Sequence, residues 1–209
     1  METVKFKKLD YFFMPKNGGL VFWAKEAKKE LILPSGVSFE SLRGEDIPFA
    51  VAELTRQGKV AAGITGDDLY DEMRYREPEF FSKVELANTT DWIDEKALFG
   101  RPVLALLAKK GEKSFPVSKV PTVGVPDKYK ETSRRFLEKF FEEKRLKKPN
   151  LRILKGSVER GISLGFYPFA VDIVFSGSSM RENGLEIVKV IRASDIATIA
   201  SKGISERVY

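Results

Sequence analysis

The chain has 209 residues, of which 43% are hydrophobic and 11% aromatic, a composition typical of a folded globular protein. It contains no Cys and no His. Their absence excludes disulfides, thiolate catalysis, Cys-based metal sites and a histidine general base. Any chemistry therefore depends on carboxylates, Lys, Arg, Tyr, hydroxyls and backbone dipoles.

Lys and Arg outnumber Asp and Glu by 36 − 30 = 6, which favours anionic partners only in a general way. The stretches 25–30 (KEAKKE) and 142–149 (EEKRLKKP) mix both charges, as solvated helix faces do. A nucleic-acid-binding module is therefore disfavoured. No segment reaches the ~18 uncharged apolar residues that a bilayer crossing needs, and the N-terminus lacks the apolar core of a signal peptide. We expect a cytoplasmic protein without a membrane anchor.

The first third of the chain repeats a strand, a glycine-containing turn and a helix. Pro48 suits the first turn of a helix, and Asp46 is available as its N-cap. The predicted elements are a strand at 8–15, a turn at 15–19, a helix at 20–32, a helix from 48 to 58, and a strand, turn and acidic helix start at 60–73.

The rest of the chain alternates strands and helices in the same way. Apolar residues at helical spacing predict a helix between 128 and 148, and a short helix is predicted at 181–187. The predicted strands lie within 97–111, 120–126, 151–161, 169–175 and 187–201. This alternation predicts an α/β fold.

Two lobes are expected from a polar stretch at 88–96 that precedes a new hydrophobic run. Lobe I would hold both chain ends, residues 1–97 with 186–209, and lobe II residues 98–185. This layout would place turns from both lobes around one cleft. Ligands of α/β sheets bind beyond the carboxyl ends of the strands, so the turns there are the candidate sites.

The segment 171–185 (VDIVFSGSSMRENGL) carries the first candidate site. Its turn, Ser176 to Ser179, can present backbone N–H groups and three hydroxyls to one anion. Asp172 lies in an otherwise apolar strand, where a buried carboxylate needs partners such as ribose hydroxyls. A plain Gly/Ser turn explains the same residues, so both interpretations stay open.

Three other segments allow both a structural and a functional interpretation. In 42–48 (LRGEDIP), Arg43 could clamp a phosphate and Asp46 could cap a helix or bind a ligand. In 63–72 (GITGDDLYDE), Gly66 allows close backbone approach and Asp68 suits a helix start. In 155–161 (KGSVERG), Glu159 is either a surface carboxylate or a partner of Asp172 for ribose or a metal-bound phosphate.

The order and spacing of these motifs resemble the catalytic core of ATP phosphoribosyltransferase, the first enzyme of histidine biosynthesis, over nearly the whole chain. Glu159 precedes Asp172 by thirteen residues, as in that family. The matched motifs are the start of PKGRL at Pro15-Lys16, R-x-x-D-[IV]-P at 43–48, G-[IF]-x-G-x-D-x-x-x-E at 63–72, GSVE at 156–159 and D-I-V-x-[ST]-G-x-T-[LM]-[RK]-x-N at 172–183.

The chain also departs from the family pattern. KNGGL stands where KGRL is usual, and Tyr167-Pro168 replaces the small-Asp pair of the GLAD segment. Gly124-Val125 replaces an Ala-Thr pair, Ser179 replaces a Thr, and Ala62 stands where Asp is usual. These departures leave open an alternative: a non-catalytic or differently specific protein that binds phosphate or another small anion on the same fold.

The resemblance implies a two-lobe fold like type II periplasmic binding proteins, with phosphoribosyl pyrophosphate and ATP meeting in the cleft. The implied reaction transfers the phosphoribosyl group to the adenine ring and releases pyrophosphate, with Mg²⁺ carried by pyrophosphate and no metal held by protein ligands alone. The implied catalytic residues are Asp172 and Glu159. Phosphoribosyl pyrophosphate would bind Asp172, Ser176, Gly177, Ser178 and Ser179. The nucleotide or pyrophosphate would bind Lys16, Arg43, Asp46, Gly66 and Asp68.

The resemblance also implies partners. The chain ends at Tyr209, before the regulatory domain of the long members of the family, so it resembles the short form. Short members work with a separate subunit that resembles histidyl-tRNA synthetase. We therefore expect a homodimer, with or without such a regulatory subunit.

Overall fold

The computed structural model describes residues 3–16, 18–112, 114–115 and 120–208. These residues form two compact units. The first holds the described residues up to Trp92 and from Asp195 onward, and the second runs from Ile93 to Ser194. Helices and strands alternate in both, so the predicted α/β fold is confirmed.

The first unit contains a five-stranded sheet and a three-stranded sheet. Its strands are β1 (Thr3–Phe6), β2 (Tyr11–Pro15), β3 (Leu31–Ile32), β4 (Ser38–Leu42), β5 (Ala61–Gly66), β6 (Val84–Thr90), β12 (Ile196–Ser201) and β13 (Ser205–Val208). Its helices are α1 (Leu20–Lys28), α2 (Ile47–Arg56) and α3 (Asp67–Arg76).

The larger sheet has the strand order β4-β2-β5-β12-β6. β2 is parallel to both β4 and β5, whereas β12 is antiparallel to β5 and β6. Every residue of β5 is buried, as expected of a central strand covered on both faces. Helix α2 buries Ile47 and Val51 in the core against Phe13 of β2. The smaller sheet, β13-β1-β3, joins the two ends of the chain.

The second unit contains a five-stranded sheet in the order β11-β7-β10-β8-β9. Strands β8, β10 and β9 run parallel, and β7 is antiparallel to both β10 and β11. Helix α4 packs Leu137, Phe140 and Phe141 inward. The elements of this unit are β7 (Val103–Lys109), β8 (Thr122–Pro126), α4 (Lys130–Glu143), β9 (Asn150–Leu154), α5 (Glu159–Ser163), β10 (Phe169–Val174), α6 (Ser178–Glu182) and β11 (Leu185–Ala193).

Three element predictions need correction. The helix predicted at 20–32 ends at Lys28, because Leu31 and Ile32 pair with β1 instead. The turn predicted inside GITG is strand, since β5 continues to Gly66. The helix predicted at 181–187 lies earlier, as α6, because Gly184 at φ 66° ends it and Leu185 begins a strand.

The predicted division after Leu185 differs from the compact units. β11 pairs with β7 from Leu185 to Ala193, so these residues belong to the second unit, which ends at Ser194. The apolar run at 187–201 is two strands, β11 and β12, one in each unit. Among the described residues, no helix combines the length and apolar character needed to cross a bilayer.

Candidate functional site

In the first unit, candidate residues follow three neighbouring parallel strands. Lys16 follows β2, Arg43 follows β4, and Gly66 is the last residue of β5. Pro15 and Leu42 are register partners, so Lys16 and Arg43 leave the same edge of the sheet. The sheet thereby gathers segments that are about 25 residues apart in sequence at one carboxyl edge, where α/β sheets bind ligands.

Backbone contacts fix these turns. The Lys16 N–H donates to the Leu42 carbonyl at 2.8 Å, and the Thr65 hydroxyl donates to the Gly44 carbonyl at 2.7 Å. The side chains of Lys16 and Arg43 are exposed. Neither has an ion-pair partner within the part of the chain that the structure describes. The geometry therefore presents two exposed cations on a backbone that hydrogen bonds hold in place.

Asp46 does not act as the predicted helix cap. It occupies the N-cap position of α2, but its φ of −90° and ψ of −19° are helical and its side chain makes no capping hydrogen bond. A capping side chain normally needs an extended N-cap backbone to reach back to the helix. The Asp46 side chain is exposed. The residue lies beside Arg43, since its N–H donates to the Arg43 carbonyl at 2.9 Å.

Asp68 is 3% exposed, and its carboxylate accepts a hydrogen bond from the Leu69 N–H at 2.9 Å. A side chain at Gly66 would collide with that carboxylate. Glu72, on the same helix, is 1% exposed and pairs with Arg76 at 3.0 Å. The structure therefore shows Asp68 packed against Gly66, where β5 ends and α3 begins. Asn17, in the predicted turn at 15–19, lies outside the described residues.

In the second unit, three parallel strands also end at one edge. β8 leads to Lys128, β9 to the segment before Glu159, and β10 to Ser176. Asp172 lies two residues before the end of β10. The sheet therefore brings Asp172, Glu159 and the serine turn together at its carboxyl edge, as the motif spacing predicts.

The serine turn is closed by its own side chains. The Ser176 hydroxyl donates to the Ser178 hydroxyl at 3.0 Å and accepts from the Ser178 N–H at 3.3 Å. Gly177 is left-handed at φ 73°, a conformation that costs other residues energy. Arg181 donates from Nη2 to the Ser176 carbonyl at 3.0 Å, which places a guanidinium beside the turn. Ser178 and Ser179 belong to the first turn of α6.

Two carboxylates lie beside this turn. Glu159, 6% exposed, accepts a hydrogen bond from the Ser179 hydroxyl, so the Ser179 proton points to Glu159. Asp172 accepts from the Ile173 N–H at 2.8 Å. Burial raises the pKa of Asp172 to about 6, and the negative charge of Glu159 adds to the rise. Near-neutral titration of a carboxylate at such an edge is typical of functional sites.

Sequence reasoning missed two residues at this site. Lys128 opposes the rise in the Asp172 pKa with its positive charge, and its position just after an apolar strand was the available signal. Tyr167, taken only as a departure from a motif, is buried, and its hydroxyl donates to the Val158 carbonyl at 2.8 Å, next to Glu159. No sequence pattern signals that contact, because it depends on how the segment folds back.

A family model described as HisG: ATP phosphoribosyltransferase matches residues 43–207. A protein of Rubrobacter xylanophilus named ATP phosphoribosyltransferase is 28% identical over 80% of this chain and 68% of its own length. One of the same name from Oceanobacillus iheyensis is 29% identical over 78% of this chain and 64% of its own length. The chain thus spans about two thirds of these relatives.

Solved structures show the same fold at low identity. The ATP phosphoribosyl transferase (HisG:HisZ) complex from Thermotoga maritima matches with a TM-score of 0.61 at 20% identity, covering 92% of this chain and 88% of the other. A putative periplasmic sulfonate-binding protein, SsuA, from Methylobacillus flagellatus matches with a TM-score of 0.57 at 11% identity, covering 94% and 62%. The predicted likeness to periplasmic binding proteins is confirmed.

Proposed function

Because the chain belongs to the ATP phosphoribosyltransferase family, a family of glycosyltransferase-class enzymes of histidine biosynthesis, we propose that it transfers the phosphoribosyl group of phosphoribosyl pyrophosphate to the adenine ring of ATP. An adenine ring nitrogen forms a bond to the anomeric carbon of the ribose. The carbon–oxygen bond to pyrophosphate breaks, and its electron pair leaves with pyrophosphate. The observation that carries the proposal is the grouping of Asp172, Glu159 and the serine turn at one sheet edge.

In this proposal, the 5′-phosphate lies against the turn from Ser176 to Ser179. The turn supplies backbone N–H groups and hydroxyls, and Arg181 supplies a guanidinium. Asp172, when ionised, accepts hydrogen bonds from the ribose hydroxyls. Glu159 fixes the Ser179 hydroxyl and adds negative charge near the ribose, which stabilises the positive charge that develops on the sugar.

In the first unit, Lys16 and Arg43 are the proposed contacts for nucleotide or pyrophosphate groups. Both are exposed cations on fixed backbone at one carboxyl edge, and Arg can bind phosphate in a bidentate manner. Asp46 and Gly66 lie beside them, and buried Asp68 packs against Gly66. The cleft between the units stays a prediction.

Mg²⁺ is the proposed cofactor, carried by pyrophosphate. Hard divalent cations bind carboxylate and phosphate oxygens, and Mg²⁺ commonly uses one or two carboxylates together with substrate phosphates. Asp172 and Glu159 fit that pattern, since both are near the proposed phosphoribosyl site. Within the described residues, no three His, Cys, Asp or Glu side chains converge as a metal site. That the protein alone holds no metal stays a prediction.

We also propose a homodimer, with or without a separate regulatory subunit. The structural neighbour described as a HisG:HisZ complex supports the regulatory subunit, whereas the homodimer stays a prediction. The cytoplasm is the proposed location.

The test is a turnover assay that follows pyrophosphate release from phosphoribosyl pyrophosphate with ATP, with and without Mg²⁺. Release that depends on both substrates is expected. Calorimetry with each substrate distinguishes the enzyme from the alternative. Binding of phosphoribosyl pyrophosphate without release of pyrophosphate would indicate a binding protein on the same fold.

A further inference from the structure

We propose that Tyr167 is a positioning residue, which holds the segment of Glu159 in place beside Asp172. The expected effect of Tyr167 on turnover rests on the proposed function, whereas its anchoring of the Glu159 segment rests on geometry alone. Tyr167 precedes β10, and its side chain is 4% exposed. Its hydroxyl donates to the carbonyl of Val158, the residue directly before Glu159.

That hydrogen bond acts on the start of helix α5. The Val158 carbonyl also accepts from the Gly161 N–H at 3.1 Å, so the tyrosine adds a second donor from outside the helix. Helix α5 has five residues and little stability of its own. An external anchor therefore determines where Glu159, its first residue, is held.

Two glycines make room for the tyrosine ring. A Cβ at Gly124 would lie 2.5 Å from Cε2 of Tyr167, and a Cβ at Gly161 would overlap its hydroxyl and ring. Neither glycine has a positive φ among the described backbone angles, so conformation does not require glycine at either position. The close approach of the aromatic ring explains both.

The fit links two departures from the family pattern. Tyr167 stands where that pattern has a small residue, and Gly124 stands where it has Ala. The structure places the Tyr167 ring where a Cβ at position 124 would lie, so the large side chain and the glycine fit each other in volume.

The first experiment compares wild type, Tyr167→Phe and a control, Tyr70→Phe, which removes a hydroxyl from a buried tyrosine of the first unit. Tyr167→Phe keeps the ring and removes only the anchor. Hydrogen exchange of peptides covering 156–163 should become faster in Tyr167→Phe and stay unchanged in Tyr70→Phe. In the turnover assay, kcat/KM for phosphoribosyl pyrophosphate should fall about three- to ten-fold, with the KM for ATP unchanged.

Unchanged exchange at 156–163 in Tyr167→Phe would overturn the inference, whatever the kinetics. Faster exchange with unchanged kcat/KM in an active enzyme would also overturn it, because a merely structural contact gives that result. Wild-type protein without turnover would refute the proposed function instead, and exchange would then decide whether Tyr167 holds the Glu159 segment.

A double-mutant cycle tests the volume compensation. Gly124→Ala alone should speed exchange at 156–163, since the new Cβ displaces the ring. In a Tyr167→Leu background the same substitution should have less effect, because the ring is gone. If the effects of Gly124→Ala and Tyr167→Leu on exchange are additive, the close packing of the Tyr167 ring against Gly124 is contradicted.

Discussion

The strand-end turns of the two units differ in which charges they expose. In the first unit, the acids Asp68 and Glu72 are buried and support the fold, while Lys16 and Arg43 are exposed. In the second unit, Glu159 is buried and Asp172 is half-buried at the candidate ligand site, and the turn beside them is built of short hydroxyls.

The difference suggests that the two units would contribute to ligand binding in different ways. Long exposed cationic side chains can adapt to phosphate groups in several positions. They are not preorganised, however, so ordering them on binding costs conformational entropy. Buried carboxylates and short hydroxyls are fixed before a ligand arrives, so their interactions are preorganised. We therefore expect substitutions in the second unit to affect turnover more strongly than substitutions in the first.

The largest effect is expected for Asp172→Asn. The substitution keeps the side chain's shape and an oxygen that can accept from the Ile173 N–H. It removes the ionised carboxylate that would accept hydrogen bonds from two ribose hydroxyls. Turnover with phosphoribosyl pyrophosphate and ATP should fall on the order of 100-fold or more in kcat/KM. Asp10→Asn is the matched control, because Asp10 also accepts a backbone hydrogen bond, from the Val60 N–H at 2.8 Å, in the first unit. An equal loss in both variants would contradict the assignment.

A smaller loss is expected for Gly177→Val. Valine at φ 73° strains the backbone, and its side chain would contact Arg181 and Leu98. Affinity for phosphoribosyl pyrophosphate, measured by calorimetry, should fall about 30-fold, since the turn can no longer close around a phosphate. Gly184→Val matches the strain at φ 66° without blocking the turn. If Gly184→Val weakens binding as much, the turn is not the phosphate site.

The pH dependence should reveal the Asp172 carboxylate. With its pKa raised to about 6, the fraction of Asp172 in the ionised form, the form proposed to bind ribose, increases as the pH rises. The kcat/KM for phosphoribosyl pyrophosphate should therefore rise about ten-fold between pH 5 and pH 7, with a midpoint near 6. A profile flat across this range would contradict the assignment.

The free energy of unfolding should fall as the pH rises, whereas kcat/KM should increase. The pKa of Asp172 is higher in the folded protein than in the unfolded chain, so protons stabilise the fold. That contribution is complete below the unfolded pKa and disappears as the pH rises through about 6. The free energy of unfolding should fall by about 2 kcal/mol from pH 4 to pH 7, relative to the same change in Asp172→Asn. Urea unfolding at several pH values measures the difference.

Local sequence patterns were sufficient to predict the fold class and most strands. Buried runs such as β5 and β7 are apolar throughout, and α4 shows helical spacing. Predictions failed where tertiary pairing overrides local preference, as at Leu31 and Leu185, which join strands although neighbouring residues favour a helix.

Motif order predicts which residues form the candidate site, but it does not predict their contacts. The spacing from Glu159 to Asp172 predicts that the two carboxylates meet, whereas the contact of Tyr167 with Val158 depends on a loop that folds back onto α5. The spacing of Asp46 before Pro48 likewise suggested a cap, and only backbone angles show otherwise.

Asp46→Ala should therefore have the smallest effect on stability. A side chain that caps a helix contributes about 1 kcal/mol, but Asp46 makes no capping hydrogen bond, so the free energy of unfolding should change by less than about 0.5 kcal/mol. Asp10→Ala, which removes an acceptor for the Val60 N–H, should cost more in the same urea titration. A loss of 1 kcal/mol in Asp46→Ala would show that the carboxylate supports the fold, as Asp68 does. A stable variant with weaker ATP binding would instead support a nucleotide contact for Asp46, as proposed for Lys16 and Arg43.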